Sequence, residues 1–362
     1  MFTLVLAAVV APAQIPDVHG SLKIDFPSDT PLAVISADWG QSRATIRGGA
    51  VLLDLHAQLS LRNSSQRRIR GVTLVVLAQE VTPGGKGSVQ VPSLDIAPGE
   101  MFPIHIDLSL LRPVQGAESI PVQIGLDGVL FDDLSFYGAN RLQSRRSMTV
   151  WELEAQRDRR YFKSVLERAG AVGLQKEMLA AMGRMADRSQ TGVQMVRGRS
   201  TNFDAEHEVQ FAFLQFPDSP IEPLGGLAHI AGNEARAPRL EIRNRSTRPV
   251  RFVEIGWIVE DQQGKEFMAG SMPSEINLAP GQKSQVAQDT SLRFPGRTGV
   301  KGMTAFISSV EYGDGRFWIP NRTEISGDRL QRVMAPSPEE QRLVQIYRTK
   351  SLKGLIEELK KF

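Results

Sequence analysis

Cysteine is absent from the 362 residues, which removes disulfides, thiolate metal sites and cysteine nucleophiles together. Stability must therefore come from packing. Histidine is scarce: His19, His56, His105, His207 and His229 never approach H-E-x-x-H or another metal-ligand spacing, and no cofactor is expected. His56 and His105 fall in alternating segments and read as half-exposed strand residues able to meet across a sheet. No G-x-S-x-G elbow occurs, and Gly84-Gly85-Lys86-Gly87-Ser88 breaks the order of a phosphate loop. That stretch reads as a hairpin tip. Charge of one sign is missing too, since 43 Lys plus Arg stand against 40 Asp plus Glu, so global charge selects no partner. Long apolar runs are likewise absent, none reaching the ~20 residues of a membrane-spanning helix. The longest opening run, Phe2 to Val10 followed by Ala11-Pro12-Ala13, reads as a signal peptide cut near Ala13, although it lacks the usual Lys or Arg. The expected location is periplasmic or extracellular, with no cysteine at the cut to carry a lipid.

What is present is a tandem duplication. Leu59 to Val72 (LSLRNSSQRRIRGV) aligns without gaps with Leu240 to Val253 (LEIRNRSTRPVRFV), 181 positions later. Asn63 falls on Asn244, Ser65 on Ser246, Arg67 on Arg248 and Arg70 on Arg251. Further on, Leu94 to Glu100 matches Ile276 to Gln282, and Val129 to Arg141 matches Val310 to Arg322. The openings agree as well, IDFPSDTP at Ile24 with LQFPDSP at Leu214, after which the second copy is shorter.

Patterning inside each copy is β. Val51 to Leu61, Ile69 to Val81, Met101 to Leu111, Val122 to Phe131 and Ser135 to Tyr137 are predicted strands of the first copy. In the second they are Val209 to Phe216, Pro238 to Arg243, Val250 to Asp261, Ser284 to Leu292, Met303 to Tyr312 and Arg316 to Ile319, with Gly313-Asp314-Gly315 as a hairpin turn. About seven short strands per copy predict an antiparallel two-sheet sandwich. The order of an R-N-x-S turn, a later A-P-G-[EQ] turn and a closing D-x-x-[FW] hairpin resembles the immunoglobulin or fibronectin type III-like modules of exported bacterial proteins. The resemblance implies a fold and no ligand.

Helices follow each copy. Thr149 to Glu152 reads as a capping box opening a helix that stops at Gly170, with Trp151, Ala155, Phe162, Val165 and Ala169 on one face. A second stretch carries Leu174, Met178, Met182 and Met185, which predicts a helical hairpin. Ser337-Pro338-Glu339-Glu340 signals another start, followed by Leu343, Ile346, Tyr347, Leu352, Leu355, Ile356 and Leu359. The predicted fold is mainly β with α: two antiparallel immunoglobulin-like β-sandwiches, each followed by a helical hairpin. Its segments are 1–13 signal peptide, 14–146 first sandwich, 147–200 hairpin and linker, 201–327 second sandwich and 328–362 C-terminal helices.

Two groups of residues invite chemistry. Asp127, Asp132 and Asp133 gather near the closing hairpin as weak calcium candidates, though turns use Asp for backbone reasons. Arg239, Arg243, Arg245, Arg248 and Arg251 form a basic run that suits an anionic partner or a salt-bridged surface, and the helical segment 141–200 is also rich in arginine. Without interleaved aromatic residues the run does not suit nucleic acid. The expected function is an exported, non-enzymatic binding or scaffolding protein, its partner a protein or an anionic glycan. The alternatives are an enzyme or enzyme accessory acting on envelope polymers, and a sensor ectodomain or assembly factor docking through the C-terminal helix. Residues shared by the copies should be scaffold, and specificity should lie where they differ: the extra loop of the first copy between Pro31 and Leu52, the hairpin tip Pro83 to Ser88, and the two helical arms.

Overall fold

The computed structural model describes residues 22–80, 83–113, 122–187, 194–197, 206–287, 290–293 and 299–362. The expected signal peptide and His19 lie outside them. The fold is mainly β, with several antiparallel sheets and four helices among the described residues. It divides into two compact units, Met1–Glu152 and Leu153–Phe362.

The first unit contains β1 (Leu22–Asp25), β2 (Leu32–Asp38), β3 (Arg43–Arg47), β4 (Ala50–Asn63), β5 (Ile69–Leu77), β6 (Lys86–Val91), β7 (Met101–Pro113), β8 (Val122–Phe131) and β9 (Phe136–Tyr137). One sheet runs β1-β8-β5-β6 with β9 on β8; in the other, β4 carries β2, β3 and β7. Period-two alternation sorts β4, burying Leu53, Leu55, Leu59 and Leu61 while His56 and Gln58 stay exposed. Those leucines share one core with Ile104 and Ile106 of β7, Val72 and Leu74 of β5, and Ile124 and Val129 of β8. The segment Pro31 to Leu52, read from sequence as a loop, instead forms β2 and β3. Gly48 and Gly49, both at positive φ (55° and 85°), make the two-residue turn that returns the chain into β4. The next hairpin turns earlier than expected: β5 ends at Leu77, short of Val81, and Lys86 to Ser88, read as part of the tip, already pair with β5.

The second unit contains β10 (Gln194–Arg197), β11 (His207–Gln210), β12 (Ala212–Leu214), β13 (Ile221–Ala231), β14 (Glu234–Asn244), β15 (Val250–Asp261), β16 (Glu266–Leu278), β17 (Lys283–Ala287), β18 (Thr290–Arg293), β19 (Val300–Tyr312) and β20 (Phe317–Trp318). Its sheets run β10-β18-β14-β13-β11, with β17 on β14, and β12-β19-β15-β16, with β20 on β19. Trp257, fully buried, lies in a core fed by both sheets. β13 and β16 were missed in the sequence, as Pro and Gly interrupt their alternation.

The duplication is exact in its turns. Asn63, 1% exposed, donates through Nδ2 to the carbonyls of Arg67 (2.8 Å) and Ile96 (3.2 Å). Asn244, also buried, donates to Arg248 (2.8 Å) and Leu278 (3.0 Å). Each Asn Oδ1 accepts from the amide two residues on, Ser65 or Ser246, at 3.0 Å. Gly99 and Gly281 take the positive φ of the matching turns (78° and 74°) and donate to the Asn63 and Asn244 carbonyls. These shared residues satisfy backbone groups and are scaffold.

Four helices complete the fold: α1 (Ser144–Asp187), α2 (Arg322–Ile325), α3 (Asp328–Val333) and α4 (Pro338–Leu359). α1 starts five residues before Thr149, whose hydroxyl donates back to the Arg145 carbonyl at 2.7 Å rather than capping. The true start is held at long range by Asp127, which accepts from the Arg141 amide (2.7 Å) and the Ser144 hydroxyl (2.6 Å). α1 breaks at Gly170 (φ 65°, ψ −166°), as read from sequence, and α4 breaks at Ser351 (φ 63°, ψ −179°). The two breaks are again 181 positions apart, so each helix is a hairpin and the duplication extends through both. Phe162, Leu174 and Met178 of α1 occupy the positions of Leu343, Leu355 and Leu359 of α4, and all six are buried in one cluster. The hairpins thus pack on each other within the second unit. Ser337 caps α4 by accepting from the Glu340 amide at 3.1 Å, but the Glu340 carboxylate does not reach back; it faces arginines.

Candidate functional site

The sequence-derived candidates do not assemble into a cation site. Asp127 is 1% exposed and its oxygens are engaged at the start of α1. Asp133 accepts from the Ser135 amide at 2.9 Å and lies 3.7 Å from Arg67, and these hydrogen bonds, chiefly from Ser135, hold its carboxyl below the usual range. Asp132 is exposed in the turn between β8 and β9. Among the described residues no group of three or more His, Asp or Glu is placed to hold a metal. His56 faces Asp107 directly, with Nδ1 to Oδ1 at 3.0 Å, while His105 stands opposite Gln58.

The five arginines are spread over two sheets and the turn joining them. Arg243 on β14 pairs with Glu222 (2.5 Å), and Arg251 on β15 lies 3.8 Å from Glu275. Arg248 lies 3.8 Å from Asp314, matching Arg67 and Asp133 in the first copy. Arg245 donates to the carbonyls of Ser219 (2.5 Å) and Phe216 (3.1 Å) and to that of Pro217. Arg239, exposed on β14, has no ion pair among the described residues and borders a groove.

Arg157, Arg159 and Arg184 of α1 are turned to the helical cluster, whereas Arg160 and Arg168 are exposed and donate to carbonyls of their own helix. Asp158, fully buried, accepts from Arg157 Nε (3.2 Å), Arg322 Nη1 (3.1 Å) and the Ser337 hydroxyl (2.5 Å). Glu340 accepts from Arg322 (2.9 Å) and Arg184 (3.2 Å). Glu339, the counterpart of Asp158 in the second copy, is also fully buried and pairs with Arg342 at 2.7 Å. A cavity of about 70 Å³ opens beside this network, lined by Glu154, Arg157, Arg184, Arg322 and Glu340. Enclosure by protein atoms pushes the Glu154 carboxyl up to about 7; Arg157 opposes the shift, and Asp158 and Glu254 add to it. The cavity has room for a few waters and no polymer segment. Its ion pairs fasten α1 to α2 and α4.

A larger recess, about 520 Å³, lies beside Gly225 and is lined by Phe213, Leu224, Leu227, Arg239, Glu241 and Gln285. Register explains it. Gly225 of β13 stands opposite Glu241 of β14, which stands opposite Gln285 of β17; Leu227 faces Arg239 in the next row. A Cβ at Gly225 would meet nothing within 4 Å, and its φ lies outside the left-handed region. Glycine there is required neither by packing nor by backbone conformation, although it weakens a strand. Its effect is to leave the floor of the groove open.

The first copy serves as an internal control. β2 pairs with β4 through the same irregularity, after Val34 as β13 has after Pro223, and projects Ile35 where the second copy projects Leu224. Ser36, Ser60 and Pro103 form its equivalent row. The strands therefore form without Gly225, Glu241 and Gln285, and the fold does not dictate these residues. Sequence reasoning missed the groove because each of its residues is ordinary alone; the usable signal was the difference between copies.

No protein-family model and no curated protein matches the chain. Solved structures with some likeness include a red sea bream transglutaminase (11% identity, TM-score 0.15, covering 78% of this chain and 29% of that one). A beta-glucosidase from Kluyveromyces marxianus shows 8% identity and a TM-score of 0.17, covering 72% of this chain and 45% of that one. The chain thus spans less than half the length of either, and neither likeness bears on its function.

Proposed function

We propose that the chain is an exported, non-enzymatic binding protein built from a duplicated immunoglobulin-like β-sandwich, each sandwich followed by a helical hairpin, with the groove beside Gly225 as its recognition surface. In this reading residues 14–146 and 201–327 are the sandwiches, and 147–200 and 328–362 carry the hairpins. The observation that carries it is the groove row Gly225–Glu241–Gln285, which differs from its structural counterpart Ser36–Ser60–Pro103 while the buried turn residues of the copies coincide. Rigid strands presenting a variable surface suit recognition.

A cross-linking pull-down with residues 14–362 against an envelope extract of the source organism tests this reading, with Gly225→Leu as the paired control. A component retained by the wild type and lost from the variant is the expected result. Identical retention by both proteins, or by neither, overturns the assignment.

A further inference from the structure

We infer that the groove takes a segment of a neutral polysaccharide, an inference that rests on reading the chain as a binding protein and supplies the class of its ligand. Sugar rings present an apolar C–H face and, at their edges, neighbouring hydroxyls that both donate and accept. A site for them needs a fixed apolar plane beside planar polar groups. Phe213 supplies the plane. Its ring is held edge-on by Phe211 at 5.4 Å, and Phe211 is held in turn by the fully buried Trp257 at 5.1 Å, so a ladder of rings leads from the core to the groove. Leu224, 37% exposed, adds apolar surface.

The polar side is built for hydroxyls. Glu241 offers two acceptor oxygens, Arg239 a fork of donors, and Gln285 one of each kind. Arg239 and Glu241 are the two charged residues of the lining, one of each sign, and Lys283 of β17, outside the lining, lies 3.5 Å from Glu241. Opposite charges side by side match a ligand that donates and accepts along the same edge.

A peptide strand added to the part of β13 that β11 leaves uncovered, before Leu227, is the competing occupant, and that stretch is poorly made for it. Pro223 has no N–H, the register slips between Pro223 and Gly225, and the Gly226 carbonyl already accepts from the Phe211 amide at 3.3 Å. The hydrogen-bonding row that strand addition requires is broken at three successive places.

Isothermal titration of the chain with cellohexaose, laminarihexaose, xylohexaose and mannohexaose, at about 50 and about 500 mM salt, tests the inference. At least one hexasaccharide is expected to bind, with an affinity changing less than about twofold between the two salts. Gly225→Leu should weaken binding by about tenfold or more without lowering the melting temperature, since its Cβ enters open space. Phe213→Ala should weaken it comparably; because this variant also loses a ring contact, Gly225→Leu is the deciding one. Binding that Gly225→Leu leaves intact overturns the inference. So does failure of all four probes, or a salt-sensitive preference for an oligogalacturonate included as the acidic control. In the last two cases a Gly225→Leu-sensitive partner in the pull-down would still sustain the binding reading, and its absence would remove both.

Discussion

Asp127 shows how a residue that looks like chemistry in a sequence becomes architecture in a fold. Its carboxylate is buried and accepts from the Arg141 and Leu142 amides and the Ser144 hydroxyl that open α1, so both oxygens are engaged. Asp127→Ala strands these donors and should cost about 1–3 kcal/mol in urea unfolding. Added calcium should leave the wild-type midpoint where it is. Glu154 gives the second prediction at this scale. Its folded-state carboxyl is raised from 4.5 to about 7, so the folded protein binds the extra proton between those values. Stability is therefore highest at or below about pH 4.5 as far as this group is concerned, and falls as pH rises towards 7, by an order of 3 kcal/mol. Glu154→Gln should flatten that slope and unfold at higher urea than the wild type at pH 8. Equal slopes for the two proteins between pH 5 and 7.5 would refute the assignment.

At the scale of elements, the legible parts were those whose patterning agrees with their burial. β8 and β15 begin and end where alternation and the Val/Ile content place them, because one face or both are buried along their whole length. β2, β3 and β13 were illegible, being short or interrupted strands whose partner, not their own pattern, makes them strands. The start of α1 failed for a related reason: its cap comes from Asp127, distant in sequence, and a local motif at Thr149 imitated one. The hairpin breaks were half legible, since Gly170 announces itself and Ser351 does not. Ser351 holds a backbone conformation close to that of Gly170, in a region that side chains disfavour by about 1–3 kcal/mol. Ser351→Gly should therefore raise stability by about 1 kcal/mol, and Gly170→Ala should lower it by at least as much. Urea midpoints with unchanged m-values would check both.

At the scale of the whole molecule, duplication organises what the parts do. Both copies keep the Asn turns, the closing hairpin and the helix break, whereas the groove row and the exposed side of the helices diverge; Val172 and Leu179 are exposed where the second copy has Lys353 and Lys360. The hairpins use their equivalent apolar faces on each other, so each is the cover of the other's core. Removing residues 336–362 would uncover Phe162, Leu174 and Met178, each worth about 1.5–3 kcal/mol when buried. It would also leave Asp158 without Ser337 and Arg184 without Glu340. The uncovered hairpin then has one well-fitting partner available, the same hairpin of another molecule, because its natural cover is a diverged copy of itself. The truncated chain should accordingly sediment as a concentration-dependent dimer while the full chain does not change mass over the same range. A truncated chain that stays monomeric and keeps the wild-type unfolding midpoint would show that the paired hairpins are not what holds this part of the fold together.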